Sequence, residues 1–343
     1  MPGQLTVTRA LVPSFSRLDD AAEAAHYWGS LLAMWKVPRR LASRPGFFPA
    51  CNPKSIARCD LAARHSDGPY VVAHKSDGVR YVLMLTLRPN SREPIALMVD
   101  RARNMFEVEV VAHEDFFVRG TLLEGELVWK QPDERAFLYL VFDAVRIKGE
   151  YVGSQAFRDR LAALDQCVRL SEELSALPHA ETEERAVEEG SIVLCHYQPS
   201  VAMRTKRFVG IEFASRLWTE RAEAEHRVDG LIVQCAAAAY GSDVFKWKEH
   251  STIDLRGPEA RCGDAPLADA EFPVRIDPSS RVRPENDDDV VEYLIGGTRA
   301  DVTLFAVRRR PDKTVANSLM VVNSTIRDAV VDNVRPDELC QFG

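Results

Sequence analysis

Short strand-like segments separated by turns fill the chain between residues 69 and 147, and this pattern constrains the fold more than any other feature. The β-rich runs lie at 70–74, 80–87, 95–99, 105–111, 121–129 and 137–143. Polar or proline-containing turns separate each run from the next. The region therefore predicts a mostly antiparallel sheet.

Helical patterns flank this strand-rich region. Residues 1–45 are expected to form helix with loops, with good helix formers after a cap at Ser16 or Asp19. Residues 155–177 carry an apolar stripe typical of an amphipathic helix. Further strands are predicted at 191–196, 228–235 and 243–248.

The composition changes after Lys248. Residues 254–289 are rich in proline, glycine and acidic residues, and alternating apolar and polar segments occur within and around them. These segments lie at 251–255, 272–276, 290–295 and 302–308. They predict a small β-barrel, followed by a terminal helix at 314–330 and a tail.

The length and composition suit two folded domains. The chain has 343 residues, of which 46% are hydrophobic, and this is ample for two cores. We predict an α+β protein with a mostly antiparallel first domain and a small barrel as the second. The expected boundaries are an N-terminal extension at 1–45, the first domain at 46–250, the barrel at 251–313, and a C-terminal helix and tail at 314–343.

Cysteine spacing and hydropathy argue against several classes of protein. The seven cysteines are scattered without a C-x-x-C pair, which disfavours a zinc site or a disulfide framework and favours a reducing compartment. The N-terminus lacks the pattern of a secretory leader. No apolar stretch approaches the roughly 18 residues needed to cross a bilayer. We therefore expect a soluble protein that is not secreted and has no membrane contact.

The charge distribution is locally basic although the net charge is −7. That net charge argues against extensive nonspecific binding to a nucleic-acid backbone, but not against a local binding site. Basic clusters occur at Lys36–Arg40, Arg204–Arg207, Lys246–Lys248 and Arg308–Arg310. Each cluster, considered alone, is expected to lie on a solvated surface.

Lys75 lies between two strand-like segments, in the sequence His74-Lys75-Ser76-Asp77-Gly78. A lysine amine has a reference pKa of about 10.4, so it acts as a nucleophile only where cations, a metal or desolvation favour its neutral form. Neighbouring cations could supply that field. Taken alone, however, the motif is better explained as a solvated Ser-Asp-Gly turn.

Other charged and aromatic motifs follow Lys75 in chain order, each on or beside a predicted strand. The full series is 75–80, 99–101, 123–128, 139–143, 228–233, 245–248 and 308–313. This ordered series resembles the covalent nucleotidyltransferase superfamily of mRNA capping enzymes and ATP-dependent polynucleotide ligases. Three details are most similar to the RNA guanylyltransferases: the Phe48-Pro49 entry, the Lys-Trp-Lys form of 246–248, and the block that follows Asp312.

The resemblance implies a nucleotide-binding domain joined to an OB-fold barrel. It also implies that Lys75 attacks the α-phosphate of GTP, releases pyrophosphate and forms a lysine–GMP phosphoramidate, which diphosphate-ended RNA then accepts. Four negative charges on GTP require cations from several segments. The residues implied in nucleotide binding are Ser76, Arg80, Arg101, Glu126, Phe142, Lys246, Lys248, Arg308, Asp312 and Lys313. The last three belong to the barrel, so closure of the two domains is expected to be part of catalysis.

The resemblance assigns Glu126 and Asp229 to the neighbourhood of a divalent ion. Oxygen ligands of this kind indicate Mg²⁺ or Mn²⁺. Glu124 is the alternative to Glu126, because positions 124 and 126 share one face of a strand and both could line the site. We favour Glu126, since it aligns with the family glutamate.

Recognition of the base is less well determined by the motifs. Phe142 occupies the position of the family aromatic that stacks on the purine, although a core phenylalanine is the default for this residue type. The Ser76 hydroxyl could donate to guanine O6 and thereby disfavour adenine. For the basic residue that some capping enzymes use on guanine, His196 lies in the right region, but a lone histidine on a strand is more often structural. Asp143 also matches the family, with organisation of the strand end as the alternative role.

A GTP-dependent mRNA guanylyltransferase is therefore the leading interpretation. The first alternative is an ATP-dependent DNA or RNA ligase with the same lysine chemistry. The second is a protein that kept the fold and lost activity, although every charged motif position is filled. Expected partners are GTP, 5′-diphosphate RNA, RNA polymerase, and a separate RNA triphosphatase and cap methyltransferase. The expected location is the nucleus, or the cytoplasm for a viral enzyme.

Overall fold

The computed structural model describes residues 15–44, 46–63, 68–131, 136–194, 196–197, 200–257, 260–262 and 265–342. The strands before residue 200 are β1 (Ser16–Arg17), β2 (Lys54–Ser55), β3 (Tyr70–Ser76), β4 (Val79–Leu87), β5 (Pro94–Val99), β6 (Met105–Val108), β7 (Val110–Val111), β8 (Thr121–Trp129), β9 (Ala136–Ile147), β10 (Glu150–Tyr151), β11 (Val193–Leu194) and β12 (His196–Tyr197). Each run predicted between residues 69 and 147 overlaps at least one of these strands.

The later strands are β13 (Ser200–Thr205), β14 (Val209–Gly210), β15 (Val228–Cys235), β16 (Val244–Trp247), β17 (Thr252–Arg256), β18 (Arg261–Cys262), β19 (Ala265–Pro266), β20 (Val274–Ile276), β21 (Val290–Thr298) and β22 (Asp301–Arg309). The helices are α1 (Ala21–Met34), α2 (Arg39–Ala42), α3 (Arg58–Ala63), α4 (Asp115–Val118), α5 (Phe157–Val168), α6 (Ser171–Leu174), α7 (His179–Glu188), α8 (Ala214–Thr219) and α9 (Leu319–Arg327). The chain is therefore a mixed α+β protein, as the sequence predicts.

The chain divides into two compact units. The first unit takes its described residues from Met1–Pro53 and Asp67–Val244, and the second from Lys54–Ser66 and Phe245–Gly343. No helix within the described ranges is both long enough and apolar enough to cross a membrane.

The main sheet of the first unit has the strand order β1-β6-β5-β4-β8-β9-β13-β12, and β10 pairs with β9. Its pairs are antiparallel apart from β13, which runs parallel to β9. The predicted mostly antiparallel sheet is therefore confirmed. A second group places β3 between β14 and β15, and both of these pairs are antiparallel.

The main sheet is buried on both faces. Successive side chains of a strand point to opposite sides, so β4 contributes Tyr81 and Leu83 to one core and Val82 and Met84 to another. The first core includes residues of α5, and the second includes residues of α1. Helices thus cover both faces of the strands that carry much of the site described below.

Several predicted helix boundaries need correction. Helix α1 is capped by Asp20, whose carboxylate accepts from the backbone N of Ala22 and Glu23 at 2.8 and 2.9 Å, rather than by Ser16 or Asp19. The helix predicted at 155–177 is broken into α5 and α6. The terminal helix begins only at Leu319, because Ser318 provides its N-cap.

The second unit is built on a sheet with the order β19-β18-β17-β21-β22-β20. Strand β20 runs parallel to β22, and the other pairs are antiparallel. Leu255, Tyr293 and Leu304 of this sheet pack with Val322 and Ile326 of α9 in one core. The terminal helix is thereby part of the same folded unit as the sheet.

Candidate active site

Lys75 is held by a carboxylate from the neighbouring strand. It is the penultimate residue of β3, and its Nζ donates a hydrogen bond to Asp229 Oδ1 at 2.7 Å. The register of β15 shifts here, with Val228 opposite Ser76 and Gly230 opposite Lys75. Asp229 is thus the extra residue of a β-bulge, which redirects a side chain locally. The Lys75 and Asp229 side chains are 21% and 27% exposed, so solvent reaches the pair.

The turn after Lys75 requires glycine at position 78. A Cβ atom on Gly78 would collide with the carbonyl oxygen of Leu127 and come within 2.7 Å of Val128 Cγ1. The turn between β3 and β4 therefore packs directly against β8. On the other side, the backbone N of Asp77 donates to the carbonyl of Arg227 at 2.9 Å, which ties the turn to the segment entering β15.

Glu126 on β8, Phe142 on β9 and Lys206 directly after β13 converge, because these three strands are neighbours in the sheet. Lys206 Nζ lies 3.8 Å from Glu126 Oε2 and 5.9 Å from the centre of the Phe142 ring. The Lys206 backbone N donates to the carbonyl of Val141 at 2.7 Å and holds the residue against β9. An aromatic face, a carboxylate and a cation therefore meet in one place.

Lys206 is a candidate site residue that the sequence analysis missed. It is only 6% exposed, so the prediction that residues 204–207 lie on a solvated surface is wrong for this lysine. Burial lowers the pKa of Lys206, Glu126 raises it, and the nearby Lys75 ammonium lowers it again. The signal in the sequence was a basic residue directly after a strand, between the Phe142 and Asp229 motifs.

Arg80 and Glu124 form a separate buried pair. Arg80 Nη2 donates to Glu124 Oε1 at 2.7 Å, and Tyr240 Oη donates to Glu124 Oε2 at 2.7 Å. Both carboxylate oxygens of Glu124 therefore already have protein donors, which favours Glu126 as the carboxylate open to a ligand. Arg80 also donates to the carbonyl of Cys51, and its guanidinium lies 5.3 Å from the Phe142 ring centre.

Two other predicted residues lie in contrasting environments. Arg101 follows β5 in a turn and is exposed. Ser76 is fully buried, and its Oγ lies 2.9 Å from His226 Nε2. Its proposed contact with guanine stays a prediction, since the hydroxyl has a protein partner here. The side chain of His196 lies outside the described residues.

Asp143 joins the main sheet to α5. It accepts from Arg160 Nε at 2.8 Å and from Nη2 at 2.9 Å, in a pair whose arginine is fully buried. Burial raises the pKa of Asp143, while the Arg160 guanidinium lowers it. Arg160 also donates to the carbonyls of Gln155 and Ala238 at 2.6 and 3.0 Å. These contacts support a role in organising the strand end.

The remaining predicted residues belong to the second unit. Lys246 and Lys248 alternate with Phe245 and Trp247, and the two aromatic side chains are buried. Lys248 is exposed and Lys246 is partly so. The Lys-Trp-Lys motif thus presents its lysines on one side of the chain while its aromatics enter the core.

Arg308, Arg310 and Lys313 contact two carboxylates of the sheet in the second unit. Asp254 on β17 and Glu292 on β21 are directly opposite each other, a placement that is unfavourable for like charges. Arg308 Nε lies 2.6 Å from Glu292 Oε2, and Arg310 Nη1 lies 3.4 Å from Asp254 Oδ1 and 3.6 Å from Glu292 Oε2.

Lys313 and Asp312 complete this group, which we call the Asp254 ion network. Lys313 Nζ donates to Asp254 Oδ2, and Arg310 Nη2 lies 2.8 Å from Asp312 Oδ2. The Arg310 hydrogen bond lowers the pKa of Asp312. The charges of three cations thus offset those of three carboxylates. This explains how Asp254 and Glu292 can lie directly opposite each other on neighbouring strands.

A divalent ion would have few protein ligands at the Lys75 site. Across the described ranges, no group of three or more His, Cys, Asp or Glu side chains could hold a metal by itself. Mg²⁺ commonly binds through one or two carboxylates together with substrate phosphates. Asp229 and Glu126 are hard oxygen ligands of that kind, so this pair fits a metal that arrives with a nucleotide.

Comparison with known proteins identifies the family. The model of the mRNA capping enzyme catalytic domain matches residues 30–250. The mRNA-capping enzyme subunit alpha of Schizosaccharomyces pombe is 27% identical over 237 residues, covering 64% of this chain and 56% of that protein. The mRNA-capping enzyme of Danio rerio is 25% identical over 224 residues, covering 61% of this chain and 34% of that protein. The matched region thus spans between a third and somewhat over half of these relatives.

Solved structures give a looser match. Mycobacterial DNA ligase D complexed with ATP and MES aligns with 77% of this chain and 95% of that one, at a TM-score of 0.40 and 11% identity. A similarity this low carries no argument about activity. The family match at residues 30–250 covers well over half of the chain, and on that basis the protein belongs to the mRNA capping enzyme family through its catalytic domain.

Proposed function

We propose that this protein is an mRNA guanylyltransferase that carries GMP on Lys75 and transfers it to 5′-diphosphate RNA. The observation that carries the proposal is the Lys75–Asp229 pair at 2.7 Å on a β-bulge. Membership of the capping enzyme family supports GTP as the nucleotide. The charged motif positions are filled, which favours an active enzyme over an inactive scaffold.

The reaction proceeds in two transfers at one phosphorus atom. In the first, the Lys75 ammonium gives up two protons to solvent in all, as its nitrogen lone pair bonds to the α-phosphorus of GTP. The bond from that phosphorus to the bridging oxygen breaks, and pyrophosphate leaves. In the second, a terminal phosphate oxygen of the RNA attacks the same phosphorus, the P–N bond breaks, and the Lys75 nitrogen regains two protons from solvent. Asp229 orients the amine through the hydrogen bond that it accepts.

The buried group around Lys206 is proposed as the base site. Phe142 would stack on the purine, with Lys206 5.9 Å from its ring centre. A lysine can donate to the carbonyl oxygen of guanine, whereas adenine carries an amino group at that position. The same cation lies near Lys75 and helps to offset the charge of the α-phosphate.

The second unit is proposed to bind the leaving group. We assign an OB-fold barrel to residues 251–313, preceded by a nucleotidyltransferase domain at 46–250 and flanked by the segments 1–45 and 314–343. Arg308, Asp312 and Lys313 would engage the β- and γ-phosphates, and Lys246, Lys248 and Arg101 the remaining phosphates and ribose. Asp229 and Glu126 would hold Mg²⁺ or Mn²⁺, which supplies positive charge for the triphosphate.

Further partners follow from the proposed reaction. Removal of the RNA γ-phosphate and methylation of the cap are assigned to a separate triphosphatase and methyltransferase, with RNA polymerase as a candidate partner. The proposed location is the nucleus, or the cytoplasm if the protein is viral. RNA lacking a terminal diphosphate should not accept GMP.

Covalent labelling tests the proposal directly. The protein is incubated with Mg²⁺ or Mn²⁺ and either α-³²P-GTP or α-³²P-ATP, then denatured and separated on a gel. We expect label from GTP and its transfer to diphosphate-ended RNA. Label from ATP alone would indicate a ligase and overturn the proposal. Absence of label from both nucleotides would indicate a protein without transfer activity.

A further inference from the structure

A second hydrogen bond lies beside the Lys75–Asp229 pair and joins the same two segments of chain. Ser76, the residue after Lys75, is fully buried, and its Oγ lies 2.9 Å from Nε2 of His226. His226 precedes Asp229 by three residues, just before β15 begins. The Lys75 and Ser76 side chains therefore each link the two segments, in addition to the Asp77 N–Arg227 carbonyl hydrogen bond and an Arg227–Asp77 ion pair at 3.5 Å.

The β-bulge at Asp229 explains why the Ser76–His226 link matters. The register shift between Val228 and Gly230 aims Asp229 at Lys75, and bulges interrupt the regular ladder of hydrogen bonds. A hydrogen bond just before the bulge restricts how the segment enters β15. Because the orientation of a reacting group affects its rate strongly, a small shift of Asp229 would be costly.

The environment of His226 suits a neutral imidazole with a structural hydrogen bond. Its Nδ1 is buried and has no hydrogen-bond partner among the described residues. Burial, together with the nearby Lys206 cation, lowers the pKa of His226 to about 4. At neutral pH the ring is therefore uncharged. Either the Ser76 hydroxyl donates to Nε2, or a protonated Nε2 donates to the Ser76 Oγ.

We propose that His226 and Ser76 form a positioning pair that holds Asp229 and Lys75 in the geometry for nucleophilic attack. This inference rests on the proposed guanylyltransferase function. It gives Ser76 a role other than contact with guanine, since the buried hydroxyl is engaged by His226. Neither residue touches the reacting phosphorus in this role.

Single-turnover labelling with α-³²P-GTP tests the positioning role. His226→Leu removes the hydrogen bond, and we expect the maximal rate constant for adduct formation to fall about 50-fold, of the order seen for small misplacements of reacting groups. The GTP concentration at half-maximal rate should change by less than about 3-fold, because the nucleotide contacts remain. His226→Gln, whose side-chain amide can still reach Ser76, should recover most of the rate.

A double-mutant cycle separates the effect of this hydrogen bond on the rate from unrelated effects of each substitution. Ser76→Ala should slow the reaction as much as His226→Leu, and the double variant should be no slower than either single variant, because all three lack the same bond. Losses that multiply in the double variant would overturn the inference. So would a Ser76→Ala variant that keeps its rate but accepts ATP, since that result would make Ser76 a reader of the base.

His74 provides a matched control. Its Nε2 lies 2.9 Å from the carbonyl oxygen of Leu217, and both histidines line one cavity of about 580 Å³. His74→Leu thus deletes a hydrogen bond of equal length that does not join β3 to β15. We expect it to lower thermal stability while leaving the maximal rate constant within about 3-fold.

The outcomes separate the two proposals. Equal rate losses in His74→Leu and His226→Leu would show that His226 acts only through packing. This result would overturn the positioning inference but not the proposed function. A rate unaltered in His226→Leu would do the same. A wild-type protein that takes no label from GTP would instead overturn the proposed function, and this inference with it.

Discussion

The two units each contain a lysine paired with a strand aspartate, and the two pairs differ in what surrounds them. Lys75 meets Asp229 on a β-bulge, with side chains that are 21% and 27% exposed. Lys313, which is 36% exposed, meets Asp254, which is only 9% exposed, inside the Asp254 ion network. In that network Arg308, Arg310 and Lys313 offset three carboxylates.

This difference separates the proposed reactive pair from a structural one. The Lys75–Asp229 pair is partly exposed, so we expect its contact to be broken at modest cost when the proposed nucleotide binds. In the Asp254 ion network the Asp254, Arg310 and Glu292 side chains are only 9%, 12% and 14% exposed, and removal of one of them would leave others without compensation. We therefore expect changes at Asp229 to affect rate and changes at Asp254 to affect folding.

The largest effect is expected for Lys75→Ala. This change removes the proposed nucleophile, so covalent label from GTP should fall below detection, a loss of more than about 10⁴-fold. Lys313→Ala is the control, because it removes a proposed phosphate contact but not the nucleophile. It should still form an adduct about 10²- to 10³-fold more slowly. Label that persists on the Lys75 variant would show that another residue carries the nucleotide.

Asp229→Asn should separate rate from stability. The substitution keeps the size of the side chain but removes its charge, and we expect adduct formation to slow about 10²-fold. The free energy of unfolding should change by less than about 1 kcal/mol, because the pair is partly exposed. Rate constants from labelling and midpoints from urea unfolding measure the two effects. A stability loss as large as that of the Asp254 variant would contradict the expectation that Asp229 affects the rate and Asp254 affects folding.

Asp254→Asn should mainly destabilise the protein. It removes a carboxylate that Arg310 and Lys313 both contact, and we expect the free energy of unfolding to drop by about 2–3 kcal/mol. Thermal unfolding followed by circular dichroism measures the change. Asp301→Asn is a matched control in the same sheet, because Asp301 pairs with Arg275 at 3.0 Å in an exposed ion pair. An equal shift in the two variants would mean that the Asp254 ion network contributes no more to stability than an exposed ion pair.

The smallest expected effect is a pH dependence of stability from His226. Its pKa is lowered to about 4 from the ordinary 6.5, by burial first and then by Lys206, His74 and Arg204, while Glu225 opposes the shift. The unfolded chain thus takes up a proton at this residue before the folded one does. Stability is therefore complete above pH 6.5 and is lost as the pH falls toward 4.

Urea unfolding at pH 7.5 and pH 5.5 measures that loss. His226→Gln should show a smaller drop between the two pH values than the wild-type protein. A drop of the same size in both proteins would assign the pH dependence to other groups. His74, whose pKa is also lowered by burial, is expected to account for part of the remainder.

Local patterns predicted the strands well and the environments of single residues poorly. The β-rich run at 80–87 predicted β4, and its apolar residues on both faces are buried because helices cover both sides. Lys206 was assigned to a solvated cluster because its neighbours in sequence are polar. Its burial comes from Glu126 and Phe142, which lie 80 and 64 positions earlier in the chain.

The pairing of Asp254 with Glu292 was also beyond local analysis. Nothing near either residue indicates a partner 38 positions away, because the register of two strands depends on the whole sheet. The predicted cap of α1 missed by one residue for a simpler reason. Asp19 and Asp20 are chemically identical, and only the backbone conformation selects the one that faces the helix N-terminus.

The amino-acid sequence by itself determined the family, the α+β class and the order of the motifs, because these depend on residue types and on periodicities within short segments. Tertiary structure alone decided that Asp229 reaches Lys75 across a bulge, that Lys206 is buried beside Phe142, and that His226 bonds Ser76. Each of these contacts joins residues far apart in the chain. Their geometry depends on strand register and packing, which no local pattern of residues specifies.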